Sequence, residues 1–319
     1  MSPRGGPSPL WAVTSFFNPA GYRNRLRNFR VFREHLPIPL LAVELSFDGR
    51  FALQADDADL LVQWSTGDVM WQKERLLNGA WSRLPPDCVE VAWLDADIVL
   101  TNPLWVAQAR AGLQRHKLLH AFRTLRHLPA DAGSVDMAQA AGLSTSVQVS
   151  VIHNMQQQTA RAHLLSGILT RADGAPTPGI AWVARRDWIS QVRLFDASVA
   201  GGGDTAWAAA VLGVPEQAVD LHAMRPAQRA YYLRWAATPG LALGQDIGCL
   251  EGDALHLWHG HMAGRHSRER HLQLAASGFD PGRHLVAGAG EPWRWTDPAG
   301  RTARYLRSYF HARNEDGNA

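Results

Sequence analysis

The stretch from Val89 to Leu100, Val-Glu-Val-Ala-Trp-Leu-Asp-Ala-Asp-Ile-Val-Leu, decides the fold of this chain. Val91 to Leu94 is an apolar, partly β-branched run of the kind that forms a buried strand, and two carboxylates, Asp95 and Asp97, follow it directly. Side chains two apart in an extended segment point to the same side, where like charges repel. The pair therefore indicates a divalent cation between the carboxylates and an anionic ligand, at the strand end where α/β sheets bind ligands. A surface turn, in which Asp is common, is the alternative.

Leu94-Asp95-Ala96-Asp97 resembles the Asp-x-Asp motif of nucleotide-sugar-dependent glycosyltransferases of the GT-A fold. The resemblance implies an α/β fold, Rossmann-like, with a mixed, mainly parallel sheet flanked by helices, as in nucleotide-diphospho-sugar transferases. It implies that Asp97 binds Mn²⁺ or Mg²⁺, which bridges the diphosphate of a nucleotide diphosphate sugar donor. Asp95 then contacts the ribose, or the metal through water.

Composition excludes several other classes of protein. With 319 residues, 46% of them hydrophobic, the chain can bury a substantial core, and a formal net charge of +3 is too small to indicate nucleic-acid binding. The start lacks the apolar core of a signal peptide, and no stretch approaches the roughly 20 apolar residues of a membrane span. Cys88 and Cys249 have neither metal-site nor disulfide spacing. We expect a cytoplasmic protein.

The order of elements predicts one main domain. Residues 1 to 9, rich in Pro and Gly, are expected to be a disordered tail, residues 10 to 285 a GT-A-like domain, and residues 286 to 319 a C-terminal extension that packs on it. The sequence predicts strands at 10–17, 40–45, 60–63, 118–122 and 147–152, and helices at 22–35, 68–78 capped by Asp68, 104–115, 159–169, 206–212 and 265–277. Residues 124 to 146 are predicted to be a long irregular connection.

Candidates for donor binding follow the first strand and begin the second helix. The first turn has no Gly-x-Gly-x-x-Gly, which argues against a nicotinamide enzyme. The resemblance implies that Thr14, Phe16 and Asn18 contact base and ribose, with core or turn roles as the alternative. It also implies that Lys73 or Arg75 offsets diphosphate charge, unless both belong to a solvated helix face.

Two stretches are candidates for the acceptor. Trp182, in a segment similar to one that lines the acceptor side of some bacterial glycosyltransferase-like proteins, offers an indole face for a sugar ring, although Trp is also a common core residue. The run of Gly202, Gly203 and Asp204 resembles the Gly-Gly-Glu-Asp segment of inverting galactosyltransferases, whose carboxylate acts on the acceptor hydroxyl. Asp204 is thus a candidate general base, or alternatively a helix cap.

The last candidates come from the run that ends in His259. Many GT-A enzymes supply a third metal ligand from a late histidine, and the resemblance implies that His259 takes this role beside Asp95 and Asp97. Alternation over 255–259 predicts a strand with His256 and Trp258 on one face and His259 on the other. Arg265 is a candidate to steady the leaving diphosphate, whereas Arg268 and Arg270 are expected to be surface charges.

The function that these residues predict is transfer of a sugar from a nucleotide diphosphate sugar to a hydroxyl acceptor, assisted by Mn²⁺ or Mg²⁺. One alternative is a metal-dependent nucleotidyltransferase, for which Gly21, Arg23 and Arg25 would serve as a triphosphate loop. Another is a non-catalytic carbohydrate-binding module of the same fold, which the 13 tryptophans would suit.

Overall fold

The structure is a computed structural model that describes residues 9–317 apart from 131, 133–136, 158–164, 166–167 and 169–172. Its strands are β1 (Leu10–Phe17), β2 (Leu40–Leu45), β3 (Leu60–Trp64), β4 (Glu90–Leu94), β5 (Ile98–Leu100), β6 (Leu118–His120), β7 (Thr124–His127), β8 (Ser146–Ser150), β9 (Pro176–Thr177), β10 (Ala181–Arg185), β11 (Gly248–Cys249), β12 (Asp253–His256), β13 (Leu285–Val286) and β14 (Arg294–Trp295).

The helices are α1 (Arg23–Glu34), α2 (Lys73–Ala80), α3 (Trp105–Gly112), α4 (Met137–Ala140), α5 (Val151–Gln157), α6 (Arg186–Val192), α7 (Gly203–Val211), α8 (Pro215–Leu221), α9 (Pro226–Ala236), α10 (Glu269–Ala276), α11 (Pro281–His284) and α12 (Arg301–Ala312). Short 3₁₀ turns occur at Ala55–Asp57, Trp81–Arg83, Ala141–Leu143 and Met262–Arg265. None of the helices in the described part of the chain is long and apolar enough to span a bilayer.

A seven-stranded sheet with the order β11-β6-β10-β4-β1-β2-β3 forms the centre of the domain. The strands β1, β2, β3 and β4 run parallel, with Ala12 opposite Leu40 and Trp11 opposite Val91, while β10 runs antiparallel between β4 and β6. Helices cover both faces. The predicted fold class, a mixed and mainly parallel sheet flanked by helices, is confirmed.

The period-2 pattern of β1 divides the core into two layers. Leu10 and Ala12 point into the layer that contains α1 and α3, while Trp11 and Val13 point into the layer that contains α2, α6 and α7. Because both faces are covered, β1, β2 and β4 are buried along almost their whole length. This burial explains why the sequence predicts β1 and β2 with their observed bounds.

A second, five-stranded sheet with the order β5-β12-β7-β8-β9 lies after the aspartate pair in the chain. β12 pairs antiparallel with β5, which places His256 opposite Ile98, the residue after Asp97. The sheet also contains β7 and β8, so the prediction of an irregular connection at 124–146 is wrong for Thr124–His127. The predicted helix 159–169 lies almost wholly outside the described residues, as do residues 1 to 8.

Other boundaries also differ from the predictions, and in two cases the structure shows a physical cause. The helix expected at 68–78 begins at Lys73, because Asp68 does not cap it and instead accepts a hydrogen bond from the backbone N–H of Trp295 at 2.7 Å. The strand expected at 147–152 ends at Ser150, whose hydroxyl accepts from the N–H groups of Ile152 and His153 and so starts α5.

Candidate functional site

Asp95 and Asp97 lie in the turn between β4 and β5, at the carboxyl end of a central parallel strand. Both carboxylates line the same two cavities, but the strand ends at Leu94 and the two have different partners. The Asp95 carboxylate lies 2.6 Å from the Lys73 ammonium, while the Asp97 carboxylate lies 3.1 Å from Nε2 of His259. The pair thus separates two differently built sides of one cleft.

The histidine side consists of Asp97, His256 and His259, whose ligand atoms all lie within 4.8 Å of one another. Nε2 of His256 is 4.0 Å from the Asp97 carboxylate and 3.4 Å from Nε2 of His259. The second carboxylate oxygen of Asp97, Oδ1, is buried without a hydrogen-bond partner. Three acceptor atoms at such distances repel one another unless a proton or a cation lies between them.

The surroundings of the histidine side favour ionised Asp97 and neutral imidazoles. Burial lowers the pKa of His256 and of His259, and for His259 the Arg265 guanidinium lowers it further. Burial raises the pKa of Asp97, but His259, His256 and Arg265 outweigh it, so that the pKa lies below its ordinary value. Arg265, which can only donate, lies 2.7 Å from Nε2 of His259 and favours the tautomer with a lone pair on Nε2. Deprotonated groups of this kind are ready to bind a metal ion.

The lysine side consists of Lys73, Asp95, Asp204 and Glu74. The Lys73 ammonium bridges Asp95 at 2.6 Å and both carboxylate oxygens of Asp204, at 2.9 and 3.1 Å. Burial lowers the pKa of Lys73, but the two carboxylates outweigh it and raise the pKa above its ordinary value. Lys73 is one of only two lysines in the chain, the other being Lys117.

Glu74 and the glycine run fix how α7 meets the lysine side. A Cβ on Gly203, the first residue of α7, would lie 2.0 Å from the Glu74 carboxylate, so only glycine allows this approach. Burial raises the pKa of Glu74 to about 8, so its carboxyl is mostly protonated at neutral pH. The cap alternative for Asp204 is wrong, since Gly202 occupies the N-cap position and Asp204 turns to Lys73.

Two cavities meet at the aspartate pair. The first is lined by Ser15, Phe16, Phe17, Arg25, Asn28, Lys73, Ala96 and Glu315, together with five residues common to both cavities. The second is lined among others by His127, Gln148, Thr177, Gly202, Asp204, Thr205, His256, Arg265 and Arg270. The common residues are Trp71, Asp95, Asp97, His259 and Arg313. A ligand in either cavity would therefore contact the junction.

Several expected donor contacts are absent from this cleft. Thr14 is buried and donates its hydroxyl to the carbonyl of Leu94 at 2.7 Å, and Asn18 closes a local turn with Tyr22. Arg75 covers the Trp293 ring and pairs with Asp196 at 3.1 Å. The donor-binding expectations for Thr14, Asn18 and Arg75 are therefore wrong, whereas Phe16, Lys73, Asp95 and Arg265 do line the cleft.

Of the residues expected to contact the acceptor, some line the cleft and others are buried away from it. Trp182 is 0% exposed, lies parallel to Trp93, and donates its indole N–H to the carbonyl of Pro178. An indole enclosed in this manner cannot stack on a sugar, so that expectation is wrong. Gly202 and Asp204 line the second cavity, while Gly203 is buried behind them.

The strand predicted at 255–259 ends at His256, and this change brings His256 and His259 to the same point. The His-x-x-His spacing from His256 to His259 is the signal in the sequence for this second imidazole. Arg270 is also not a surface charge: it is 5% exposed, whereas Arg268 is exposed as expected. Trp71, shared by both cavities, was likewise not selected.

The C-terminal segment supplies site residues that no local pattern indicated. The Glu315 carboxylate pairs with Arg25 and with Arg313, at 2.5 Å in each case, and all three line the first cavity. Phe310 of α12 stacks on Trp71 at a centroid distance of 6.2 Å. The segment expected to pack as an extension thus also forms one wall of the cleft.

No protein-family model and no curated protein matches the chain. Among solved structures it is similar to a mycobacterial protein (TM-score 0.43, 12% identity, covering 89% of this chain and 81% of that one). It is also similar to S. aureus TarS 1-349 (0.39, 11%, 84% and 64%) and to M. tuberculosis glucosyl-3-phosphoglycerate synthase (0.36, 11%, 93% and 92%). The chain thus spans less than two thirds of the TarS fragment, which has also been solved with UDP-GlcNAc and with UDP. Likenesses this distant are likenesses of fold alone.

Proposed function

We propose that this protein is a metal-dependent glycosyltransferase that moves a sugar from a nucleotide diphosphate sugar to a hydroxyl acceptor. The observation that carries the proposal is the convergence of Asp97, His256 and His259 where the two cavities meet. A carboxylate oxygen with two imidazole nitrogens suits Mn²⁺ better than the harder Mg²⁺. A cation held there would neutralise charge that develops on the leaving diphosphate.

The first cavity is the proposed donor site. Phe16 and Trp71 offer aromatic surface suited to a nucleoside base, while Arg25 and Asn28, held by Glu315 and by the Trp258 carbonyl, complete the wall. Asp95 faces this cavity and is the proposed contact to the ribose. Arg265 donates a hydrogen bond to Nε2 of His259 at 2.7 Å. A metal ion on this nitrogen would displace that hydrogen bond, and the freed guanidinium is the proposed contact to the diphosphate.

The second cavity is the proposed acceptor site, with Asp204 as general base. Its carboxylate side chain is 32% exposed and lines this cavity, so an acceptor hydroxyl can reach it. Lys73 holds the carboxylate by two hydrogen bonds, which fixes its orientation before the acceptor binds. Asp204 would take the hydroxyl proton as the oxygen attacks the sugar.

Binding of a nucleoside diphosphate with Mn²⁺ tests the proposal. UDP, GDP, ADP and CDP are screened for thermal stabilisation of the protein with and without Mn²⁺, because a ligand that binds only the folded state raises the melting temperature. We expect one nucleotide to stabilise the protein in a Mn²⁺-dependent way. Asp97→Asn should weaken this binding by at least about 100-fold, since it removes a charged ligand from the metal.

The apo form of Asp97→Asn should still fold, with somewhat lower stability, because the change removes a negative charge that Arg265, His256 and His259 favour. If the variant binds the nucleotide with unchanged Mn²⁺ dependence, the proposed metal site is wrong. Release of pyrophosphate from a nucleoside triphosphate would favour a nucleotidyltransferase instead, and tight donor binding without any turnover would favour a non-catalytic module.

A further inference from the structure

The second cavity is bordered by three buried guanidinium groups around one tyrosine. The Tyr309 hydroxyl accepts hydrogen bonds from Arg270 at 3.0 Å and from Arg313 at 2.9 Å, and donates to the backbone carbonyl of Arg265 at 3.1 Å. All three arginines are at most 9% exposed and line this cavity. We call Arg265, Arg270, Arg313 and Tyr309 the arginine cluster.

The positive charge of the arginine cluster is only partly compensated. Arg313 pairs with Glu315, which also neutralises Arg25, and Arg265 contacts the histidine side. Arg270 has no carboxylate within 4.0 Å among the described residues, and its Nε is buried without a hydrogen-bond partner. Burying an unpaired guanidinium costs free energy of folding, and a bound anion would offset that cost.

The position of Arg270 separates it from the proposed donor site. It lines the second cavity and not the first. Its guanidinium lies against Gly201, where a Cβ would be 3.2 Å from Nη1, so it borders the glycine turn that leads to Asp204. An anion on Arg270 would therefore lie on the side where the acceptor hydroxyl is expected.

We propose that the second cavity takes an acceptor carrying an oxyanion, a phosphate or carboxylate group, and that Arg270 recognises this group. Planar guanidinium groups bind such oxyanions through paired hydrogen bonds, and neighbouring Thr177, Thr205 and Gln148 offer neutral hydrogen bonds to the rest of a polar molecule. The assignment of the oxyanion to an acceptor rests on the proposed function, while the presence of an anion site does not.

Inorganic phosphate is the probe for this site. Its binding is measured by thermal stabilisation and calorimetry in three proteins: wild type, Arg270→Gln, and Arg268→Gln as an exposed control two residues away. Each is tested alone and when saturated with Mn²⁺ and the nucleoside diphosphate that binds best. We expect phosphate to bind wild type and Arg268→Gln in both states. In Arg270→Gln its affinity should fall by roughly 10-fold to 100-fold, the effect of losing a charge-assisted hydrogen-bond pair, while nucleotide affinity stays unchanged.

The outcomes separate the possible sources of the anion. If saturating nucleotide abolishes phosphate binding and Arg270→Gln weakens the nucleotide, Arg270 serves the donor diphosphate and the acceptor assignment is overturned. If phosphate fails to bind wild type, or binds Arg270→Gln equally well, no anion site exists. Whether saturating nucleotide abolishes phosphate binding is measured with the wild-type protein, so this outcome stays decisive even if Arg270→Gln does not fold. Phosphate binding without any nucleotide binding would support the anion site while contradicting the proposed function.

Discussion

The lysine side begins at Asp95 and the histidine side at Asp97, two residues later, yet the two sides handle charge in different ways. On the lysine side, Asp95 and Asp204 share the Lys73 ammonium, so each carboxylate has a cationic partner within 3.1 Å. On the histidine side, Asp97 faces two imidazoles whose pKa values burial lowers, and its Oδ1 has no partner.

The two sides therefore suit different tasks: the lysine side can hold a catalytic group in position, and the histidine side can bind a cation. Carboxylates that share one ammonium keep their orientation without a ligand, as a base that must meet an acceptor requires. A side that leaves acceptor atoms unpaired gains most when a cation arrives. Substitutions should therefore affect turnover or folding on the lysine side and metal affinity on the histidine side.

The largest effect is expected at Asp204. Asp204→Asn should keep nucleotide binding but lower the transfer rate, or donor hydrolysis where water replaces the acceptor, by roughly 10²-fold to 10⁴-fold, because an amide cannot accept the proton. Steady-state release of the nucleoside diphosphate measures the rate, with Asp220→Asn, an exposed acid on α8, as control. Full turnover in Asp204→Asn at saturating acceptor would exclude it as the base.

The next largest effect is expected at Lys73. Lys73→Met leaves two carboxylates without their shared cation and should cost about 3 kcal/mol of unfolding free energy, the low end for buried pairs, since the Asp95 and Asp204 side chains keep 24% and 32% exposure. Urea unfolding measures this, and the exposed Lys117→Met should change stability by less than about 0.5 kcal/mol. Equal stability of both variants would mean that Lys73 does not hold the lysine side together.

A smaller effect is expected for the two histidines. His256→Ala and His259→Ala should each weaken Mn²⁺ binding roughly 10-fold and Mg²⁺ binding less, because imidazole suits the transition metal better. Titration calorimetry with each ion measures the affinities, and His261→Ala, an exposed neighbour, serves as control. Equal losses for both ions would point to a site made of oxygen ligands.

The effect that is smallest at neutral pH, and grows only in acid, concerns the stacked pair His222 and His271 behind Gly202. Burial, with Arg270 nearby, lowers the pKa of His222 from 6.5 to about 3, and burial also lowers that of His271. The unfolded chain binds protons at these two histidines more readily than the folded protein does. The neutral histidines therefore contribute their full share of the unfolding free energy above about pH 6.5. This contribution declines toward pH 3, by about 1.4 kcal/mol per pH unit for each histidine.

Urea unfolding between pH 7 and pH 5 measures this slope. His222→Phe keeps a stacked ring but removes one titrating group. In this variant the change of unfolding free energy with pH should be smaller by about 1.4 kcal/mol per pH unit. An unchanged slope would show that His222 is already charged in the folded protein.

The sequence predicted the central sheet well because its information is local. β1 and β2 are apolar runs bounded by turn residues, and buried parallel strands need no further signal. β7 was missed because its partners β8 and β12 come from distant parts of the chain, and Thr-Leu-Arg-His has no strong strand pattern of its own.

At the candidate site, the sequence predicted which residue types take part better than it predicted where their side chains point. Asp97 and His259 do meet, but the end of β12 at His256 brings in a second imidazole that strict alternation placed on the opposite face. Glu315 and Arg313 reach the cleft where α12 packs on Trp71, and Arg270 is buried where it contacts Tyr309 and the turn at Gly201. Such long-range contacts leave no trace in local spacing.

The scarcity of lysine has a practical consequence for spectroscopy. Reductive methylation with ¹³C-formaldehyde labels amines, so a chain with only Lys73 and Lys117 would give two lysine signals besides that of its amino terminus. Exposed Lys117 would be labelled readily, whereas Lys73, buried between carboxylates, would resist labelling until the cleft opens. The appearance of the Lys73 signal over time would thus report how often this cleft exposes its interior.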